Sequence, residues 1–300
     1  MASRLMKKAI IDLGTNTFNL LIGTIEDGKF SIDYATKEPV LLGMNGINDG
    51  IIAPDAMVRA IEALGKFKLI CDQQKVQTIT GFGTSAMRSA KNARDLIKVT
   101  QKSLGFPIYV ISGQEEATLI YRGVSLLHDF KQPGVIMDIG GGSNEYIHAN
   151  ESGVIAAKSF DIGVSRIFQL LGSPEELPND IQEKIGQIFE TETNGFFDNL
   201  NSSLLIGASG SFETFYEMIF SMPFPKEDRT FPLPMAALYE QIDWVLKSTL
   251  EERIAHPWIT PIRKKMLPIA AYSIRWTMEK LQTKEVTICP YSLKEGALLS

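Results

Sequence analysis

The sequence is poor in the residues that bind soft metals or cross-link chains. It has two cysteines, Cys71 and Cys289, and three histidines, His128, His148 and His256, among 300 residues. Two thiols so far apart make no disulfide framework and suit a reducing compartment, so the expected location is the cytoplasm. The scattered histidines give no zinc-ligand spacing, and any metal is expected to be held through oxygen, by carboxylates and a ligand's phosphates. No apolar run approaches the length of a membrane span. Residues 1–8 carry Arg4, Lys7 and Lys8, but the apolar run that follows is cut at Asp12, too soon for a signal peptide. Excess positive charge is also lacking. The net charge of −5 argues against general nucleic-acid binding and requires a phosphate-rich ligand to find a locally basic site. Low-complexity tracts are absent, and 44% hydrophobic with 22% charged residues describes an ordinary folded chain, long enough for two domains.

What is present is organised around a glycine-rich turn. Residues 134–147, GVIMDIGGGSNEYI, read as strand, acid, three glycines, serine and a second strand. Gly140, Gly141 and Gly142 allow positive φ and let backbone N–H groups approach an anion closely. Residues 9–22, AIIDLGTNTFNLLI, repeat the plan, with Asp12-Leu13-Gly14-Thr15-Asn16 answering Asp138-Ile139-Gly140 and Ser143-Asn144. The two acids are 126 residues apart (138 − 12), as are Gly81 and Gly207, and Ser85 and Ser211. A third pairing joins Ser112–Ala117 with Ser292–Ala297 at an offset of 180, which places an insertion of 54 residues (180 − 126) in the second half. Three matches in one order indicate an internal duplication.

Periodicity gives strands over 8–14, 18–26 and 29–37, with a hairpin at Asp27-Gly28, a helix over 55–72, a strand at 76–82, a helix over 85–103, a strand at 107–111 and a helix from Gly113. The second half repeats the order: strands at 134–139, 144–149 and 153–160, helices near 163–171 and 178–198, a strand at 203–207 and a helix from Gly210. A proline-rich loop over 222–234, helices near 235–250 and 262–281, a strand at 285–289 and a last helix near Ser292 complete it. Pro268 is expected to kink its helix. The expectation is an α/β protein of duplicated actin-like, sugar kinase or Hsp70 ATPase type. Its N-terminal lobe spans 1–123 and its C-terminal lobe, with a helical insertion, 124–300, and a cleft between the lobes receives both turns.

Five stretches in order, IDLGTNTF at 11–18, GTSAMR at 83–88, ISGQEEATLI at 111–120, MDIGGGSNE at 137–145 and SLKEGALL at 292–299, resemble the exopolyphosphatase and guanosine pentaphosphate phosphohydrolase family, in its short two-domain form. The resemblance implies removal of the terminal phosphate of inorganic polyphosphate or the 5′ γ-phosphate of guanosine pentaphosphate, with magnesium. Such hydrolysis needs the phosphate charge neutralised and a water aligned and deprotonated. The phosphate ligands expected are Gly14, Thr15, Asn16 and Thr17 in one turn and Gly140, Gly141, Gly142 and Ser143 in the other. Asp12, Asp138 and Glu145 are the candidate magnesium ligands.

In the third pairing Glu115 is matched by Glu295, whereas Glu116 is matched by Gly296. Glu115 therefore reads as a structural helix-start charge and Glu116 as the general base, where the resemblance also places it. Arg88 is expected, by resemblance, to clamp a phosphate. Apart from Arg88, the cations Lys91, Arg94, Arg122, Lys131, Arg166 and Arg263–Lys265 read as solvated surface charges. One departure stands out: Pro39 occupies the place of an arginine usual in the family, with Lys37 nearby. That departure keeps a non-catalytic polyphosphate or alarmone sensor open, and the shared fold keeps an actin-like kinase open. Neither nucleic acid nor membrane is an expected partner, and the sequence is compatible with a homodimer.

Overall fold

The computed structural model describes residues 6–299 apart from 199 and 201. Part of the N-terminal stretch weighed as a signal peptide lies outside those residues. The chain divides into two compact units, one running to Gly123 and resuming at Tyr291, the other Val124–Pro290. By this division residues 291–299 group with the first unit, whereas the sequence reading assigns them to the C-terminal lobe.

The first unit contains β1 (Met6–Leu13), β2 (Thr17–Glu26), β3 (Lys29–Pro39), α1 (Pro54–Gln73), β4 (Thr78–Gly83), α2 (Ser85–Ser89), α3 (Ala93–Leu104), β5 (Ile108–Val110) and α4 (Gly113–Val124), whose last residue opens the second unit. The second holds β6 (Gly134–Ile139), β7 (Asn144–Asn150), β8 (Gly153–Phe160), α5 (Val164–Leu170), α6 (Asn179–Thr193), β9 (Leu204–Gly207), α7 (Gly210–Phe220), β10 (Phe231–Leu233), α8 (Met235–Lys247), α9 (Leu250–Ala255), α10 (Leu267–Leu281) and β11 (Glu285–Ile288). The final helix, α11 (Leu293–Leu298), lies on β1 and β2 of the first unit.

The duplication is written in the hydrogen-bond register. The first sheet has the order β3-β2-β1-β4-β5 and the second β10-β11-β9-β6-β7-β8, so β6, β7, β8, β9 and β11 repeat β1 to β5 and β10 is an addition at the edge. Asp12 pairs with Asn19 and Asp138 with Glu145, both shifted by 126. Ile11 faces Gly81 and Met137 faces Gly207 across the parallel pairs. Even the register shift in the second hairpin recurs, at Ile22/Gly23 and at His148/Ala149. The central strand β6 is nearly continuously buried and β1 is buried mainly in its C-terminal half. Against the first sheet α1 packs a stripe of Ala56, Ala60, Ala63, Leu64, Phe67 and Cys71, and Pro54 starts it at a position where its missing N–H costs nothing.

Three local expectations are corrected. The helix expected over 85–103 breaks after Ser89, because Asn92 turns its amide to the backbone of Ile52, accepting from N at 2.8 Å and donating to O at 2.9 Å. The proline-rich segment contains β10, with Pro232 on an edge strand where a missing donor is tolerated. Pro268 lies in the first turn of α10 and begins that helix without kinking it.

Inside the insertion Arg253 is fully buried. It donates to the carbonyls of Lys264 (2.8 Å), Ser248 (2.5 Å) and Glu175, tying the α8–α9 corner to two other segments. Arg253→Met removes the donors and leaves these carbonyls unpaired, so the unfolding free energy in urea should fall by about 3 kcal/mol.

Candidate functional site

The turn of the second unit is shaped by its own carbonyls. Gly140 N donates to Ser143 O (2.9 Å), closing the hairpin, and a Cβ on Gly140 would come within 2.6 Å of the same oxygen. The carbonyl of Gly140 accepts from Val164 N (3.0 Å), that of Gly141 from Ser165 N (2.7 Å) and Arg166 N (3.1 Å), and that of Gly142 from Gly163 N (3.3 Å) and Arg166 Nε (3.0 Å). The first amides of α5, which have no partner within the helix, are thereby satisfied. A trans peptide sets its N–H opposite its carbonyl, so the N–H groups of Gly141, Gly142 and Ser143 are turned to the side away from α5, as an anion nest requires. The glycines achieve this without positive φ, since neither Gly14 nor Gly140–Gly142 occupies the left-handed region. Their use is close approach. Gly163 shows the same constraint, since a Cβ there would lie 2.4 Å from Ser143 N.

In the first unit a Cβ on Gly14 would meet Thr17 O at 2.7 Å, so Thr17, and not Thr15, is the structural counterpart of Ser143. Here the carbonyls are held by the loop after β3: Thr15 O accepts from Gly43 N (3.1 Å), and Asn16 O from Val40 N (3.0 Å) and Leu41 N (2.8 Å). The hydroxyl of Ser143 donates to Glu145 Oε1 (2.6 Å), as does that of Ser159 (2.6 Å). Ser143 can therefore offer a ligand its backbone N–H, while its hydroxyl is committed to Glu145.

The candidate metal ligands fall into two groups. Asp138 and Glu145 are cross-strand partners and present their carboxyl groups on one face of the second sheet, an arrangement that could share a cation. Asp12 belongs to the first unit. Its carboxyl accepts from Asn19 Nδ2 (3.0 Å), yet enclosure by protein pushes its pKa up to about 6, against the smaller lowering effects of Asn19 and Lys294 and with a small further rise from the Glu295 carboxylate. Among the described residues no three acids, histidines or cysteines come together as a metal centre. Such a donor set suits magnesium bound through one or two carboxylates with water and phosphate oxygens.

Glu116 and Arg88 are brought together. Arg88 donates to Glu116 Oε2 (2.8 Å) and to the carbonyl of Ile111 (3.1 Å), and Glu116 is 7% exposed. Glu115 has the expected structural place: Ser112 N and Oγ donate to its carboxylate at 2.7 and 2.8 Å, holding it below the usual carboxylate range, while its own N–H donates to Ser112 Oγ. Ser292 and Glu295 form the same capping box on α11. Gly296, opposite Glu116 in the duplication, is required by packing, since a Cβ there would lie 2.0 Å from Leu119 O.

Sequence reasoning missed Gly163 and Arg166, which brace the glycine turn, and Lys294, which is near enough to Asp12 to favour its charged form. The signals were there: Lys294 sits inside the SLKEGALL stretch, and D-I-G-V-S-R at 161–166 has a glycine immediately before a helix.

Two mixed α/β units of the same strand order, each with a glycine hairpin turn after its first strand, place the chain in the actin-like class. The sequence matches the Ppx/GppA phosphatase family over residues 21–300. A crystal structure of an exopolyphosphatase from Cytophaga hutchinsonii is 31% identical, covers 98% of this chain and 96% of its own, and superposes with a TM-score of 0.93. The PPX-GPPA enzyme of Aquifex aeolicus, 23% identical over 99% of both chains, shares the fold with a TM-score of 0.80. A Haemophilus influenzae protein named "Putative exopolyphosphatase" is 28% identical over 216 residues, 70% of this chain and 66% of that protein, so the match spans just under two thirds of that relative's length. The chain belongs to the Ppx/GppA phosphatase family.

Two outcomes follow from this geometry. Because the Asp12 carboxyl titrates near 6 when folded and near 3.8 when unfolded, its burial destabilises the metal-free protein increasingly as pH rises through that window. Asp12→Asn should therefore stabilise metal-free protein by roughly 3 kcal/mol at pH 7–8, with the gain gone by pH 4, in urea titrations across pH. Gly163→Ala forces a methyl into the peptide of Ser143 and should cost about 2 kcal/mol or more in the same measurement.

Proposed function

We propose that the protein is a magnesium-dependent phosphohydrolase that releases the terminal phosphate of inorganic polyphosphate, with Glu116 as general base. The 5′ γ-phosphate of guanosine pentaphosphate is the other substrate that family membership supports. The observation that carries the reading is the asymmetry between otherwise matching halves: both have the turned-out peptide groups, but only the first has the Glu116–Arg88 pair, with glycine at the matching place in α11. The 31% identity to an exopolyphosphatase supports the choice of polyphosphate.

In this reading the N–H groups of the turns and the Arg88 guanidinium bind phosphate oxygens and take up charge as the anhydride P–O bond breaks. Glu116 accepts a proton from the attacking water, and the shortened polyphosphate leaves as the anion. Magnesium, when bound, would neutralise phosphate charge, and the carboxylates available to hold it are Asp138 with Glu145 within the second unit or Asp12 within the first. No second-substrate site or transfer base for a kinase is evident in the sequence.

The test is phosphate release from polyphosphate with magnesium, with guanosine pentaphosphate run in parallel. Glu116→Gln should lower kcat by about a thousandfold while KM stays within about threefold. An undiminished rate in that variant would exclude Glu116 as the base. Binding without turnover by wild type would indicate the sensor, and transfer from ATP to an added acceptor the kinase.

A further inference from the structure

Arg59 lies on α1, outside every motif discussed above, and reaches the backbone that holds the first phosphate-type turn. Its Nε donates to Val40 O (2.7 Å) and one terminal nitrogen to Leu41 O (3.2 Å), while the other pairs with Asp55 (2.6 Å). The amides of these same two residues are the donors to Asn16 O. Leu41 adopts φ of 51°, a left-handed conformation that a leucine rarely takes, so this corner keeps its shape through the bonds made to it on both sides. Gly43 continues the contact: its N–H holds Thr15 O, and a Cβ there would lie 2.5 Å from Thr15 Cγ2. The far end of the loop is fixed by Asn92 on Ile52 and by Lys91 N on Gly50 O (2.8 Å). The second unit shows the short version of this device, with Arg166 donating straight to the carbonyl of Gly142, the residue that matches Asn16 under the 126-residue offset.

We propose that Arg59 is a positioning residue for phosphate binding. It fixes the Val40–Leu41 carbonyls so that the amides of these residues hold Asn16 O, and the N–H of Thr17, which shares a peptide with that oxygen, is thereby aimed at the phosphate chain. A guanidinium suits the task because its fork reaches two successive carbonyls, which a lysine ammonium does less well. The Asp55 pair is exposed and contributes little by itself. This inference rests on the phosphohydrolase reading above.

The test compares wild type, Arg59→Gln, Arg59→Lys and Asp55→Asn at a temperature where circular dichroism shows each fully folded. KM for polyphosphate and the calorimetric Kd for tripolyphosphate are measured, since neither depends on the active fraction. Arg59→Gln should raise both by about tenfold, Arg59→Lys by about threefold, and Asp55→Asn by less than twofold. Wild-type KM and Kd in folded Arg59→Gln would overturn the positioning role. Should that variant not fold, unchanged constants in Arg59→Lys would do the same. A wild-type protein that neither hydrolyses nor binds these phosphates would instead overturn the functional reading, and this inference with it.

Discussion

The structure depends on what happens to a few carbonyl oxygens. A peptide group has one donor and one acceptor fixed on opposite sides, so a turn that is to offer its N–H groups outward must dispose of its carbonyls inward. In the second unit the start of α5 receives them. In the first unit the loop after β3 does the same with main-chain amides. The need for glycine follows: at Gly14, Gly140 and Gly163 the neighbouring backbone is too close for a side chain, while φ is ordinary.

The two units show how far a duplicated plan can be kept while its chemistry diverges. Strand order, cross-strand partners and even an irregularity in the ladder coincide at one offset. The differences lie in what projects from that frame. Asn19 supports Asp12, whereas Glu145 stands opposite Asp138. Glu116 is paired with Arg88, whereas its counterpart Gly296 lets α11 lie against α4. The absence of a second acid there has a steric cause, since a side chain at Gly296 would meet the Leu119 carbonyl.

Much of this was legible in the sequence because it is local or repeated. The acid-glycine turns, the Asp27-Gly28 hairpin and the succession of strands and helices along the chain rest on short-range patterns, and the capping glutamate Glu115 is recognisable by its distance from Ser112. What escaped notice depends on partners far along the chain. Asn92 breaks a helix in order to bind Ile52, and nothing in its own neighbourhood foretells that. Arg166 looks like a surface charge until Gly142 is placed beneath it. The assignment of the last residues to the first unit was likewise invisible, since it follows from Gly296 meeting Leu119 O and Leu298 meeting Gly23.

That last feature bears on how the protein is made. Since α11 covers β1 and β2 and brings Lys294 and Glu295 near Asp12, the first unit lacks a piece of itself until the whole second unit has been synthesised. Strands β1 and β2 keep part of their apolar surface uncovered until α11 is supplied from beyond the second unit. Completion of the first unit is thus tied to a segment separated from it in the chain by the entire second unit.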